Sequence, residues 1–186
     1  MNILWSDFLN SDWHDWKEGK RDMDRLPLAE WQQSFLDKHH LRAPVPASAE
    51  QLQYLIEFRA DLQRIAVQQS EGHQLTSQQI QALNHILEAA AVQRHLVMEA
   101  DRPVIHYRQL GDDWQSVAAE VAAHFVHTLR EGEGSRIRIC DNPDCRWIFY
   151  DDTRSRTKKY CDDKLCGNLM KVRRFRAKKR ASQNKL

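Results

Sequence analysis

The sequence predicts an α+β protein in two parts: a mostly α-helical N-terminal domain with one β-hairpin, and a small C-terminal module, treble-clef-like in arrangement, built around four cysteines. Apolar residues recur at helical spacing in the first part, and all four cysteines fall within the second. The charge also changes sign, with 12 Lys/Arg against 20 Asp/Glu in residues 1–135 and 16 against 6 in residues 136–186. We place the domains at 1–131 and 136–180, and expect a frayed basic tail over 181–186.

Four helices are predicted in the N-terminal domain. The first follows Pro27, where "PLAEWQQSFLDKHH" repeats apolar residues after a proline at its favoured early position. Ser48 and Thr76 are each followed three residues later by glutamine, a capping-box pattern that predicts the starts of the second and third helices. In the third helix we expect Ile80 to face the core, and the fourth covers about residues 112 to 130.

A β-hairpin is predicted between the third and fourth helices. In "RHLVMEADRPVIHYRQL", two runs rich in β-branched and aromatic residues flank Asp101 and Arg102, and Pro103 favours an edge position. The glycine-rich stretch "EGEGS" at 131–135 is expected to link the two domains.

The four cysteines form two C-x4-C pairs, Cys140 with Cys145 and Cys161 with Cys166. Each short pair can fold back and present two sulfurs, and four thiolates suit one tetrahedral Zn²⁺. Four free structural thiols, two disulfides or an iron–sulfur cluster are the alternatives. Because cysteine fills all four positions, no coordination site stays open for a catalytic water, so the predicted zinc is structural.

A cationic helix is predicted to follow the second cysteine pair. Leu165, Leu169, Val172 and Phe175 recur at helical spacing, and we expect this apolar stripe to pack on the metal-stabilised core. The remaining faces and the loop between the cysteine pairs are basic, which indicates a nucleic-acid surface, although a solvated helix that offsets acidic groups of the same chain is the alternative. The candidate nucleic-acid-binding residues are Arg154, Arg156, Lys158, Lys159, Lys171, Arg173, Arg174, Arg176, Lys178 and Lys179.

The segment from 137 to 180 resembles the CGNR zinc finger, a bacterial C-terminal module. The cysteine spacing, "NP" at 142–143, Phe149, "CGN" at 166–168 and Lys171 carry the resemblance. Leu169 stands where the family has arginine, which implies that any phosphate or carboxylate contact of that arginine is missing here. "DFLNS", "LPLAEWQQSFLDKHHL", "LIEFR" and "LNHIL" resemble motifs of the ABATE domain, a stress-responsive regulatory and ligand-binding region.

Polar residues on or beside apolar helix faces suggest a small-molecule site in the N-terminal domain. Arg59 interrupts the stripe of the second helix, and Asn84 lies four positions after Ile80 on the third. An arginine there needs a partner, and Asp7 and Asn10 could supply one. These four residues are predicted to line a pocket for a small effector, such as an anion held by Arg59, or else to form a structural network that fixes the N-terminal segment.

Together these features predict a zinc-dependent, DNA-binding transcriptional regulator whose N-terminal domain senses a small ligand. The alternative is a protein- or RNA-interaction module with a structural zinc finger and no effector. The nine histidines are scattered, and no H-E-x-x-H pattern, phosphate-binding glycine loop or nucleophile elbow occurs, so no enzyme is expected. Without an apolar run near the ~18 residues of a membrane span, we expect no membrane partner and a cytoplasmic location; a homodimer is left open.

Overall fold

The computed structural model describes residues 3–130 and 134–183 of the chain. Helices dominate the N-terminal part, and three two-stranded antiparallel sheets are interspersed among them. The helices are α1 (Leu4–Leu9), α2 (Ala29–His39), α3 (Ala49–Ser70), α4 (Ser77–Glu88), α5 (Trp114–Thr128) and α6 (Asn168–Gln183). The strands are β1 (Asp12–His14), β2 (Arg21–Asp24), β3 (Val92–Glu99), β4 (Arg102–Gln109), β5 (Ile137–Ile139) and β6 (Ile148–Tyr150), paired in that order.

The main core surrounds α1, which contacts α2, α3 and α5. Trp5 and Phe8 are completely buried, and the ring of Trp5 meets Phe125 of α5 edge to face with centroids 5.6 Å apart. An edge-to-face contact places the positive ring edge against the negative face of the partner. A helix of only six residues is thus held by packing, because it is too short to be stable by itself.

The predicted helices are confirmed, and both capping boxes form. The side chain of Ser48 accepts a hydrogen bond from the backbone N–H of Gln51, whose own side chain caps Ser48 in return, and Thr76 and Gln79 repeat the arrangement. The expectation for Ile80 is wrong. Ile80 is 44% exposed, because the face of α4 that packs inward is centred on Leu83.

The predicted hairpin is confirmed as β3 and β4, joined through Ala100 and Asp101, both with positive φ. Its two faces differ. Residues that alternate along both strands place a group of apolar side chains on one side, which we call the outer face: Val92, Leu96, Met98, Ile105 and Tyr107, all 44–71% exposed. An isolated two-stranded hairpin is only marginally stable in water. An exposed apolar face of this kind is typical of an interaction site.

The hairpin β5–β6, which belongs to the cysteine-rich module, is built into the main core. Ile137 and Ile148 are buried among the residues of the N-terminal helices. The hydroxyl of Ser6 donates to the carbonyl O of Ile148 (2.8 Å). The amide of Asn10 donates to the same oxygen (2.7 Å) and accepts from the Ile148 N–H (2.9 Å). The cysteine-rich module and the N-terminal helices therefore share one core, and the domain boundary at 131–136 stays a prediction; of the predicted linker, Glu131, Gly132 and Glu133 lie outside the described residues.

The apolar stripe predicted for the last helix does not pack on the metal core. No described residue of α6 is buried, and Val172 and Phe175 are 45% and 70% exposed, while Leu169 is half-buried. Leu165, just before α6, is 47% exposed. The helix α6 extends to Gln183, and the rest of the predicted tail, 184–186, lies outside the described residues. In the described ranges, every helix is too short or too polar to span a bilayer.

Candidate metal centre and cationic surface

The four cysteines converge on one point. All four sulfur atoms lie within 4.8 Å of one another, and Cys145 and Cys161 are 3.6 Å apart, Cys161 and Cys166 3.8 Å. A tetrahedral ion with metal–sulfur bonds of about 2.3 Å requires sulfurs separated by about 3.8 Å, whereas a disulfide requires about 2.05 Å. The thiols are free. The cluster therefore fits one structural Zn²⁺ and rules out the disulfide alternative.

The ionisation of each thiol in the cluster depends on hydrogen bonds with the neighbouring cysteines. Hydrogen bonds from the Cys145 and Cys161 thiols lower the pKa of Cys140, while the hydrogen bond to Cys140 raises the pKa of Cys145 to about 12 and also raises that of Cys161. The Cys140 thiolate is thus stabilised by hydrogen bonds from neighbouring thiols that remain protonated. A divalent cation removes the need for those shared protons, because its positive charge stabilises all four thiolates together.

Asn142 joins the cysteine cluster to the N-terminal part of the chain. Its side chain is completely buried, and its amide donates to Cys166 Sγ (3.4 Å) and to the carbonyl O of Trp16 (2.7 Å). Nearby, Gly19 has φ 74°, and a Cβ atom there would lie only 2.6 Å from Asp144 Oδ1. The loop between β1 and β2 therefore approaches the cysteine module closely, a contact that sequence reasoning missed because α1 and β1–β2 are too short to show periodicity.

Asp151 organises the basic loop between the cysteine pairs. Its buried carboxylate accepts hydrogen bonds from the hydroxyl of Thr153 (2.5 Å) and from the backbone N–H groups of Thr153 (3.0 Å) and Lys158 (2.9 Å). Burial opposes ionisation of Asp151, but these hydrogen bonds outweigh it and lower its pKa. An ionised Asp151 thus folds the loop, so that Arg154 and Lys159 extend into solvent.

Most candidate nucleic-acid residues lie on the surface. Arg154, Arg156, Lys159, Lys171, Arg174, Arg176, Lys178 and Lys179 are exposed. Lys158 is half-buried, with its ammonium 5.6 Å from the ring centroid of Phe149. Arg174 donates to Tyr160 Oη (2.8 Å).

Arg173 differs from the exposed candidates because it is half-buried and its guanidinium is bonded to distant parts of the chain. It donates to the carboxylate of Asp144 (2.5 Å) and to the carbonyl O of Lys17 (2.5 Å). With its apolar stripe unpacked, α6 is anchored in part by this arginine, which also ties the helix to the loop between β1 and β2.

Two clefts border the basic loop. One, of about 360 Å³, lies between the loop and the start of α6. It is lined by Lys158, Lys159 and Lys171 and by three hydroxyl-bearing residues, Thr153, Ser155 and Thr157. The other, of about 460 Å³, shares Lys158 and Lys159 and adds Arg138 and Arg156. Ammonium and hydroxyl groups in shallow clefts are the donors that phosphate oxygens accept from.

The four residues predicted to line a ligand pocket lie in separate environments. Arg59 is 3% exposed, and its guanidinium donates to both carboxylate oxygens of Asp24 (2.7 and 2.5 Å) and to the hydroxyl of Ser11 (2.7 Å). The partner that Arg59 needs is thus Asp24, which sequence reasoning did not consider.

The other three residues have different roles. Asp7 pairs with Lys38 (2.6 Å) and His39 (2.8 Å), Asn10 bonds to the backbone of β6, and Asn84 is exposed on α4. Arg59 and Asn10 thus have hydrogen-bond partners within the chain, which favours the structural network, and the pocket of four residues stays a prediction.

These features define a protein in which a helical domain and a four-cysteine zinc finger share one core. Comparison with protein families is consistent with that class. Residues 3–132 match the ABATE family, described as "Putative stress-induced transcription regulator", and residues 136–179 match the CGNR zinc finger. The chain therefore belongs to the ABATE family and carries a CGNR zinc finger that binds one structural zinc. The comparison with curated proteins finds no significant match.

Proposed function

We propose that this chain is a DNA-binding transcription regulator whose zinc site orders the DNA-binding surface and whose helical domain responds to a small ligand. The observation that carries DNA binding is α6. This helix has seven Lys/Arg and no Asp/Glu, and none of its side chains is buried. At about 1.5 Å per residue its sixteen residues span roughly 24 Å, and the major groove of DNA admits one α-helix.

The basic loop between the cysteine pairs supports the same proposal. Lys158 and Lys159 line both basic clefts, and Lys171 brings the first exposed cation of α6 to one of them. A duplex seated on α6 could place a phosphate in that cleft. Phosphate contacts of this kind position a protein on DNA without reading its sequence. Arg173, whose guanidinium is already bonded, is left out of the proposed surface.

A salt titration of binding tests this proposal. The zinc-loaded protein is titrated into labelled duplex DNA and, separately, labelled RNA hairpin at several salt concentrations, with fluorescence anisotropy as the readout. Each phosphate contact contributes about 0.9 to the slope of log K against log salt on duplex DNA. We expect K171A and K178A each to reduce that slope by about 1. The matched control is R64A on α3, far along the chain from the finger and also exposed.

The outcome that would contradict DNA binding is absence of duplex binding at ~50 mM salt by protein that holds one zinc per chain. Tighter binding to the RNA hairpin than to the duplex would instead support the RNA form of the alternative.

A second candidate function is supported by the exposed stripe of α6. Val172 and Phe175 are apolar, exposed and flanked by cations, which is the pattern of an amphipathic helix that docks in an acidic groove of a protein partner. On DNA, the same side chains would contact thymine methyl groups. F175A distinguishes the two: it should weaken binding to a protein partner strongly, whereas the salt slope on DNA should not change.

Homodimer formation also belongs to this proposal, and the outer face of the β3–β4 hairpin supports it. A two-fold arrangement with antiparallel hairpins would cover Leu96, Ile105 and Tyr107 of both copies. It would also bring Asp101 at the tip of one hairpin toward Arg94 near the base of the other, so that the charges are complementary. Dimers commonly read symmetric DNA sites. Size-exclusion chromatography with light scattering measures the molecular mass, which distinguishes a dimer from a monomer.

A further inference from the structure

A cleft of about 670 Å³ lies on the side of the β3–β4 hairpin opposite the outer face. Its walls are the segment 39–42 at the end of α2, the hairpin residues His95, Val97 and 106–109, the following residues 110–112, and Glu120 of α5. His95 pairs with His106 across the strands, so both point to the same side. A volume of this size is typical of small-molecule sites.

Two arginines in this cleft lack intramolecular partners. Among the described residues, neither Arg42 nor Arg108 makes a side-chain hydrogen bond or ion pair, although Arg59, Arg64 and Arg173 all do. Arg42 comes from the loop after α2 and Arg108 from β4, so the two guanidinium groups approach from different walls. A guanidinium offers donors in a planar fork that matches a carboxylate or a phosphate.

The remaining charges and apolar groups narrow the ligand class. Two acidic residues, Asp112 and Glu120, also line the cleft, so the formal charges of its arginines and carboxylates cancel. The groups of the cleft that can pair with an anion are the two arginines. Val97 is half-buried and Leu110 is 54% exposed, so the cleft also has an apolar wall for carbon atoms. An organic anion fits this lining better than an inorganic ion.

The cleft is connected to the zinc finger by a continuous set of contacts. His39, in its wall, is hydrogen-bonded to Asp7 of α1 (2.8 Å). The same short helix carries Ser6 and ends at the cap residue Asn10, and both side chains hold the backbone of Ile148 in the finger. A ligand that shifts His39 therefore acts on the element that fixes β6.

We propose that this cleft binds a small organic anion, whose carboxylate or phosphate is held by Arg42 and Arg108. Its occupant is the effector of the DNA-binding activity proposed above, and this second statement rests on that proposed function. Ligand binding in the cleft does not depend on DNA binding by the zinc finger, and the two are tested separately.

The test uses the zinc-loaded full chain and four probes: phenyl phosphate, benzoate, inorganic phosphate and the uncharged benzyl alcohol. Binding is followed by the backbone amide signals in ¹⁵N NMR spectra. Saturable shifts are expected for residues 39–42 and 106–111 with phenyl phosphate or benzoate, and weaker or no shifts with the other two. R42Q and R108Q should each weaken binding roughly tenfold or more, because each removes a charge-assisted hydrogen bond to the anion.

R64Q is the matched control, since Arg64 is an exposed arginine of α3 that does not line the cleft. Absence of saturable binding by both organic anions, or affinity unchanged in R42Q and R108Q, would overturn the ligand site. DNA affinity is then measured with and without the saturating probe. An unchanged value overturns the effector role while leaving the site intact, and absence of DNA binding contradicts the proposed function alone.

Discussion

Replacement of Arg59 by methionine is the most informative perturbation of the helical domain. Arg59 is 3% exposed and forms a bidentate pair with Asp24, whose side chain is 21% exposed, plus a hydrogen bond to Ser11. Removal of one partner from a buried ion pair typically costs 3–5 kcal/mol, because the other charge stays buried. Since Asp24 retains some contact with water, we expect R59M to lower the free energy of unfolding by about 3 kcal/mol.

The matched control is R64M on the same helix. Arg64 also pairs with an aspartate, Asp61, but the two side chains are 75% and 53% exposed. Exposed pairs contribute little, so R64M should change the free energy of unfolding by no more than about 0.5 kcal/mol. Urea denaturation of both variants in the presence of zinc, followed by tryptophan fluorescence and far-ultraviolet circular dichroism, gives the two values.

A small effect of R59M, equal to that of R64M, would refute the structural role of Arg59. If R59M folded fully yet lost the response of DNA binding to an effector, the earlier prediction that Arg59 belongs to a ligand pocket would be restored. The double variant with Asp24→Asn adds a second check. Because removal of both charges leaves neither one unpaired, the double variant should be less destabilised than the sum of the single variants.

Three further outcomes are expected. C166S, or removal of the metal with a chelator, should lower the zinc content below one per chain by atomic absorption and abolish DNA binding, since three thiolates cannot hold a structural zinc firmly. D151A removes the acceptor of three hydrogen bonds and should weaken DNA binding severalfold without removing a cation, whereas D152A, at the exposed neighbouring position, should leave it unchanged. L96D places a charge on the outer face of the hairpin and should convert a dimer to a monomer by light scattering, while an unchanged mass would remove that face from the dimer proposal.

The metal site was predictable from the sequence because its determinants are local. Two cysteine pairs at fixed spacing define the ligand set, and the structure places the sulfurs of Cys140, Cys145, Cys161 and Cys166 within 4.8 Å of one another. The capping boxes at Ser48 and Thr76 were equally predictable, since a cap involves only a residue and its third neighbour. The β3–β4 hairpin was visible because its strands are long enough to show their composition.

The apolar stripe of α6 shows where periodicity is insufficient. Spacing places Leu169, Val172 and Phe175 on one side of a helix, but it does not say whether anything lies against that side. The structure anchors α6 through Arg173 instead, in contact with Asp144 and the carbonyl of Lys17, and leaves Phe175 70% exposed. The basic surface is therefore presented together with an apolar one, which the sequence alone did not indicate.

By itself, the sequence determined the longer helices, the β3–β4 hairpin, the zinc ligands and the concentration of positive charge in the last quarter of the chain, because these follow from spacing and composition. Only the tertiary structure decided which polar groups are partners. Arg59 bonds to Asp24, 35 residues away, and Asn10 to Ile148, 138 residues away. Such pairs depend on how the helices pack around α1, and no local pattern encodes them. Within the described residues, the same packing leaves Arg42 and Arg108 without side-chain partners on two walls of one cleft.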